Sequence, residues 1–219
     1  MTTRRVSTMP IGLSSNSVPV HRVADVVIAG AGIAGVAAAH QLLVRDGVRR
    51  VALVDPREPL SLTSSKGTEA YRNYWPGPDD TMARFMNRSI DLLEALDRDS
   101  DQAFELNRRG YVFLTADPVE AERLRGHKGP AMEFVEGEDA IHARFLFVNE
   151  RARAMLHVRR AGYMNALKLG AYLLERARTG GLDLMRDEVT RLVTSNQRLV
   201  AVELASGARI DTGRSEEHT

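Results

Sequence analysis

Apolar residues recur along this chain in two patterns, unbroken runs and three- to four-residue steps, and each predicts a different element. Two continuous runs rich in β-branched residues, at 26–29 and in "VALVD" at 51–55, suit strands covered on both faces of a parallel sheet. Between them, the Ala, Leu and Gln content of residues 33–45 favours a helix, and Asp46-Gly47 supplies its stop. Pro56 ends the second strand, so β-α-β is complete in about 30 residues, the length of one crossover unit. Residues 56–78 form a Ser/Pro/Gly-rich connection longer than a compact domain tolerates without a functional reason. Met82, Phe85, Met86, Ile90, Leu93 and Leu96 then repeat at three- and four-residue steps, which predicts a helix capped by Asp79 or Asp80.

"GYVFLTA" at 110–116 reads as a strand, and "DPVE" after it places an N-cap Asp117, a first-turn Pro118 and a capping-box Glu120 on a helix ending by Gly126. Residues 127–160 are mixed, with strand candidates around "RFLFV" and "RAMLHV". "GYMNALKLGAYLLERARTGG" at 162–181 predicts an amphipathic helix with a double-glycine stop. "LDLMR", "VTRLVTS", "LVAVELA" and "ARIDT" follow as short strands of a meander.

The bulk numbers narrow the function. At 219 residues the chain holds one α/β domain and part of a second. Thirty basic residues against 29 acidic ones give a formal charge of +1, which excludes the basic field of a nucleic-acid binder. The absence of cysteine excludes disulfides, thiolate zinc, iron-sulfur clusters and a cysteine nucleophile. His40, His127, His142 and His157 lack metal-ligand spacing and read as structural, so no metal site is expected. The acid-free residues 1–22 with Arg4-Arg5 raise a transit or twin-arginine signal, yet the stretch after the pair is too polar for an apolar core; they read as a disordered tail or an over-called start site, with the cytoplasm as default location. Residues 26–44 approach the ~20 residues of a bilayer span. Three glycines in six positions, with Asp25 before them and His40 and Gln41 near the end, argue against a transmembrane segment.

Gly30, Gly32 and Gly35 form a Gly-x-Gly-x-x-Gly loop between the first strand and its helix. The first glycine allows the tight turn, the second lets backbone approach a pyrophosphate, and the third lets the helix pack closely on the strand. Helix N–H groups and the helix dipole then face the phosphates. Asp55 ends the next strand 25 positions after Gly30, near the ~20-residue offset of an acid that binds a ribose hydroxyl. Strand, loop, helix, strand and acid in this order predict a dinucleotide site.

"DVVIAGAGIAGVAAAHQL", "VALVDPRE" and "TSSKGTEAYRNYWPGPDDTMARFMNRSIDLLE" together resemble the N-terminal half of the FAD-dependent D-amino-acid oxidase and glycine/sarcosine oxidase (DAO) family, over about residues 23–213 and most strongly over 24–97. The resemblance implies a Rossmann-like FAD/NAD(P)-binding α/β domain with a β-meander, plus part of a discontinuous antiparallel substrate domain. Its expected division is a tail at 1–22, FAD-binding parts at 23–107 and 161–213, and a partial substrate domain at 108–160. It implies that Gly30, Gly32 and Gly35 hold the pyrophosphate of FAD and that Asp55 holds the adenosine ribose, where the family more often has Glu. Arg57 would lie on the adenine side, and Ser64, Ser65, Lys66, Gly67 and Thr68 would run along the flavin and its phosphates. Val189 would meet the adenine through its backbone. Arg57 and Lys66 read equally as solvated charges, and Tyr71, Arg72, Tyr74 and Trp75 either line the substrate side or pack.

The chemistry so implied is flavin-dependent oxidation of a C–N bond in a small-molecule amine or amino acid, such as a D-amino acid, glycine or an N-methyl amino acid. An NAD(P)-linked dehydrogenase is the rival enzyme, and a non-catalytic dinucleotide-binding fragment the rival outside catalysis. The family's substrate-carboxylate arginine and last flavin contacts are expected later than this chain reaches. "RSEEHT" at 214–219 resembles one reading frame of a sequencing adaptor and is left out of the fold reading, so the fold is expected to be incomplete at its C-terminus.

Overall fold

A computed structural model describes residues 21–62, 66–67, 69–127, 129, 131–212 and 215–217. The first unit is built on strands β1 (His21–Ala24), β2 (Val26–Ala29) and β3 (Val51–Val54), with helix α1 (Ile33–His40) running on through a π-helical turn, Gln41–Arg45. Then come β4 (Glu69–Arg72), α2 (Thr81–Asp99), β5 (Tyr111–Thr115), α3 (Pro118–Gly126), β6 (Met132–Glu136), α4 (Glu138–His142), β7 (Ala154–Val158) and β8 (Ala161–Met164). Helix α5 (Ala166–Thr179) returns the chain to β9 (Asp183–Met185), β10 (Val189–Ser195), β11 (Arg198–Leu204), β12 (Arg209–Thr212) and β13 (Ser215–Glu217).

A parallel sheet of order β13-β2-β3-β9 forms the centre. In the β2–β3 register Val27 lies opposite Ala52 and Ile28 opposite Leu53. Alternation sends Ile28, Val51 and Leu53 into one cluster with Val36 and Ala39 of α1 and Leu173 and Ala177 of α5. It sends Val27, Ala52 and Val54 to the other face, against Val202, Leu204 and Ile210. Both faces are dry, which is why these strands read as unbroken apolar runs. Each buried Val, Leu or Ile among them contributes about 1.5–3 kcal/mol.

The second sheet, β1-β12-β11-β10, is the meander with β1 added in parallel beside β12. A three-stranded antiparallel sheet, β5-β7-β6, and the β4–β8 ladder make up the middle of the chain. Its own core gathers Tyr74, Leu124, Leu156 and Val158 on one face and Val135, Ile141, Val148 and Met155 on the other. The fold class therefore agrees with the expectation from sequence, whereas residues 215–217, left out of that reading, form β13 at the edge of the central sheet beside β2.

Several elements differ from that expectation. β9 is no part of the meander: it pairs in parallel with β3. Gly162–Met164 is strand, and α5 starts only at Ala166, because the Asn165 side chain accepts a hydrogen bond from the Lys168 N–H (3.0 Å) and fixes the first turn there. The long connection contains β4, and β6 adds a strand where none was expected. "RFLFV" is a turn with Leu146 and Phe147 exposed, whereas "RAMLHV" is β7. His21 and Arg22 belong to β1; the rest of the expected tail lies outside the described residues.

At α2, Asp79 accepts from the Thr81 N–H (2.9 Å), while Asp80, at the N-cap position, pairs with Arg84 (3.3 Å). At α3, Asp117 caps the Val119 N–H as expected, but the capping box does not close. The Thr115 hydroxyl takes the Asp117 N–H (3.0 Å), leaving Glu120 to pair with Arg123.

Candidate functional site

The glycine loop runs from the carboxyl end of β2 into α1. Gly30 sits at φ +103°, a left-handed conformation that side chains rarely adopt, and its N–H donates to the Val54 carbonyl (2.8 Å) at the end of β3. Gly35 is required by close approach: a Cβ there would lie 2.0 Å from the Gly30 oxygen and 3.3 Å from Ile28 Cγ2. Gly32 is different. Among the described residues, its chain neighbours apart, a Cβ there would meet no atom within 4 Å, so the space they leave beside it is open. Gly32 is also the N-cap of α1, with no side-chain cap and no acid in the first turn. No acid of the helix's own first turn thus competes at its positive end, the place where anions bind. This is a cradle that a pyrophosphate fits and that a side chain at Gly32 would fill.

Asp55 closes the loop from the side. Its Oδ2 accepts from the Ala31 N–H (2.8 Å) and its Oδ1 from the Arg57 N–H (2.8 Å). The short side chain reaches back to local backbone, the habit of aspartate at turns, and each oxygen keeps a second lone pair for a ribose hydroxyl. The carboxylate is therefore a tether of the loop as well, a role the sequence pattern alone does not show.

The strand β9–β10 link wraps the same end of the sheet. Asp55 N–H donates to the Met185 carbonyl (3.1 Å), and Asp187 N–H to the Asp55 carbonyl (3.2 Å). Val189, the first residue of β10, follows two positions later and packs on the cluster of Val27 and Val54. Gly30, Gly32, Gly35, Asp55, the backbone of Arg57 and the start of β10 are thus brought together. Arg57 is itself exposed, as are Lys66 and Gly67, and a Cβ on Gly67 would approach Glu69 Oε1 (3.0 Å). Ser64, Ser65 and Thr68 lie outside the described residues.

Of the aromatic stretch after this loop, two residues pack. Tyr71 is buried and donates to the Asn107 carbonyl (2.8 Å), and Tyr74 sits edge-on to Phe113 and His127 at 4.8 and 4.9 Å. Burial pushes both phenol pKa values up. Arg72 stacks over Trp75 at 4.4 Å and lies 5.6 Å from the Tyr111 ring centroid. Among the described residues no cluster of three or more His, Cys, Asp or Glu has metal-binding geometry, and no helix is long and apolar enough to cross a membrane. A wide groove lined by Val23, Asp25, Leu42, Arg49 and Thr212 opens at the amino ends of β2 and β3, the end opposite the glycine loop.

A family model described as FAD dependent oxidoreductase (DAO) matches residues 25–215, nearly the whole chain outside the first 24 residues. The chain belongs to the FAD dependent oxidoreductase family. No curated protein matches it in sequence. Solved structures show the same fold. L-proline dehydrogenase from P. horikoshii is similar with a TM-score of 0.79 and 21% identity over 91% of this chain and 54% of its own. Glycine oxidase from Geobacillus kaustophilus gives 0.76 and 18% identity, over 90% and 55%. L-amino acid deaminase from Proteus myxofaciens, solved with anthranilate, gives 0.74 and 17% identity, over 89% and 45%. The chain thus spans about half the length of these DAO-fold structures.

Proposed function

We propose that the chain is the FAD-binding front half of an oxidoreductase that oxidises a C–N bond of an amine or amino acid. The observation that carries the reading is the open, uncapped cradle at Gly32, lying within a stretch that the family model matches from end to end. In this reading Gly30, Gly32 and Gly35 take the pyrophosphate of FAD. Asp55 takes the adenosine ribose on its remaining lone pairs, Arg57 flanks the adenine, and the Val189 backbone meets it. Ser64, Ser65, Lys66, Gly67 and Thr68 run along the flavin side.

When bound, the flavin supplies the acceptor for the hydride equivalent leaving the substrate carbon. This chain's residues bind and orient: the α1 dipole holds the phosphates, and the Asp55 tether keeps the loop shaped before binding. An amine or amino acid as substrate is supported by the names of the structural relatives, which act on proline, glycine and L-amino acids. An NAD(P)-linked dehydrogenase is the less supported reading, since the family match is to flavin enzymes.

The test is turnover by the longer protein of which this chain is the front half, purified with its flavin. D-amino acids, glycine and N-methyl amino acids are offered in turn with oxygen or an artificial acceptor. Release of ammonia or amine together with a keto acid or aldehyde is the expected result. Stoichiometric flavin with no turnover of any amine would leave only a binding role.

A further inference from the structure

Leu60 stands out among the buried side chains of the binding unit. It is 5% exposed, yet it adopts φ +62°, the left-handed region that a leucine occupies only when its surroundings force it. Two contacts do the forcing. Its N–H donates to the carbonyl of Ala31 (2.9 Å), the residue between the first two glycines of the loop. Its side chain lies on helix α5 at Gly170, where an added Cβ would be 2.6 Å from Leu60 Cδ1 and 2.8 Å from Cδ2.

Gly170 needs this explanation. Glycine weakens a helix interior relative to alanine, and Gly170 has no left-handed backbone to justify it. Close approach by Leu60 is the reason the structure offers. The Ala31 peptide is then held at both ends: Asp55 Oδ2 accepts from its N–H, and Leu60 donates to its carbonyl. Ala31 itself is buried in the same cluster as Leu60 and Leu173. Helix α5 belongs to the returning part of the chain, more than 130 residues after the loop.

We propose that Leu60 is a positioning residue for the dinucleotide: a bolt, seated in the Gly170 notch of α5, that fixes the Ala31 carbonyl and with it the phosphate-binding loop. It touches no cofactor itself and acts through the loop. The inference rests on the FAD-binding reading for its consequence, although the bolt exists without any ligand.

A mutant cycle tests it on the full chain, with two readouts. Gly170→Ala pushes on Leu60, Leu60→Ala removes the side chain, and the double variant asks whether the two losses share one contact. Leu173→Ala, buried on the same helix and in the same cluster, is the control. Amide hydrogen exchange of Leu60 without ligand is measured relative to the Leu53 amide, which corrects for global stability. Flavin fluorescence gives the Kd for FAD.

Gly170→Ala is expected to accelerate Leu60 exchange and to weaken FAD binding, each by about tenfold, or about 1.4 kcal/mol. Leu60→Ala should lose as much, and the double variant no more than about threefold beyond either single variant, because all three break one contact. Leu173→Ala should change neither relative quantity by more than that factor. Unchanged Leu60 exchange in Gly170→Ala, an equal change in Leu173→Ala, or additive losses in the double variant would each overturn the bolt. If Gly170→Ala fails to fold, Leu60→Ala alone decides: exchange of the residue-60 amide, corrected for the intrinsic rate of alanine, is expected to accelerate, and unchanged exchange would overturn the bolt. A parent chain that binds no FAD would sink the proposed function, and the exchange arm would still judge the bolt.

Discussion

Two glycines of one loop should fail in opposite ways when given a methyl group. At Gly35 the added Cβ would lie 2.0 Å from the Gly30 oxygen, whereas ordinary contact begins at 3.4 Å, so α1 must move by roughly 1.4 Å. That movement pulls Val36 and Ala39, both fully buried, out of their contacts with the sheet. Overpacking of this kind costs about 3 kcal/mol at the upper end of its range, and alanine's better helix propensity returns about 1 kcal/mol. The net of about 2 kcal/mol corresponds to a fall in Tm of roughly 4–8 °C for a domain of this size. At Gly32 the Cβ meets none of the described residues beyond its chain neighbours and φ is −71°, so Gly32→Ala should shift Tm by no more than about 3 °C. In the proposed reading its methyl would stand where the pyrophosphate of FAD binds, and FAD affinity should fall by at least about tenfold. Thermal melts without ligand and fluorescence titrations with FAD separate the two effects. The reasoning is refuted if Gly35→Ala melts with the parent chain, or if Gly32→Ala destabilises as strongly while leaving FAD affinity intact.

Other consequences are as direct. Asp55→Ala orphans the Ala31 and Arg57 N–H groups and should cost about 1–2 kcal/mol of stability, seen as a lower denaturation midpoint, with Asp55→Asn losing less. Burial first, then repulsion from Arg176 and Arg45, holds the His40 pKa below its ordinary value of about 6.5. A proton is therefore bound more readily by the unfolded chain: stability is full above about pH 6.5 and is lost as pH falls toward the lowered folded value. His157, lowered by burial and by Arg159, adds in the same direction. Melting from pH 8 down to 5 should show this loss, and His40→Gln should flatten part of it; an unchanged slope would contradict the assignment. Asn165→Ala removes the α5 cap and should lower Tm by about 2–4 °C, the equivalent of ~1 kcal/mol.

What could be read in the sequence follows the range of the forces involved. β2, β3 and α1 were legible because two buried faces and a tight turn impose local patterns, continuous apolar runs and Gly30-x-Gly32-x-x-Gly35. The α3 cap was legible for the same reason, as Asp117 acts two residues away. β9 was misplaced because "DLM" carries no signal of its partner: only the return of α5 sets it beside β3. "RFLFV" misled in the opposite direction, apolar in sequence but with Phe147 facing solvent. In the site, the glycines could be named in advance, whereas the Asp55 tether and the Leu60 contact depend on a chain path through residues 56–60 that no periodicity describes. A mid-helix glycine at 170 was the available hint, since such a residue often marks a close approach.

The central claim, that this chain is a flavin-binding unit, is tested most directly by titrating the purified 219-residue chain with FAD and, separately, with NAD and NADP. Saturable, stoichiometric binding of FAD, abolished or strongly weakened in Gly32→Ala while the fold is retained, is the predicted result. Tight nicotinamide dinucleotide binding with no affinity for FAD would contradict the account.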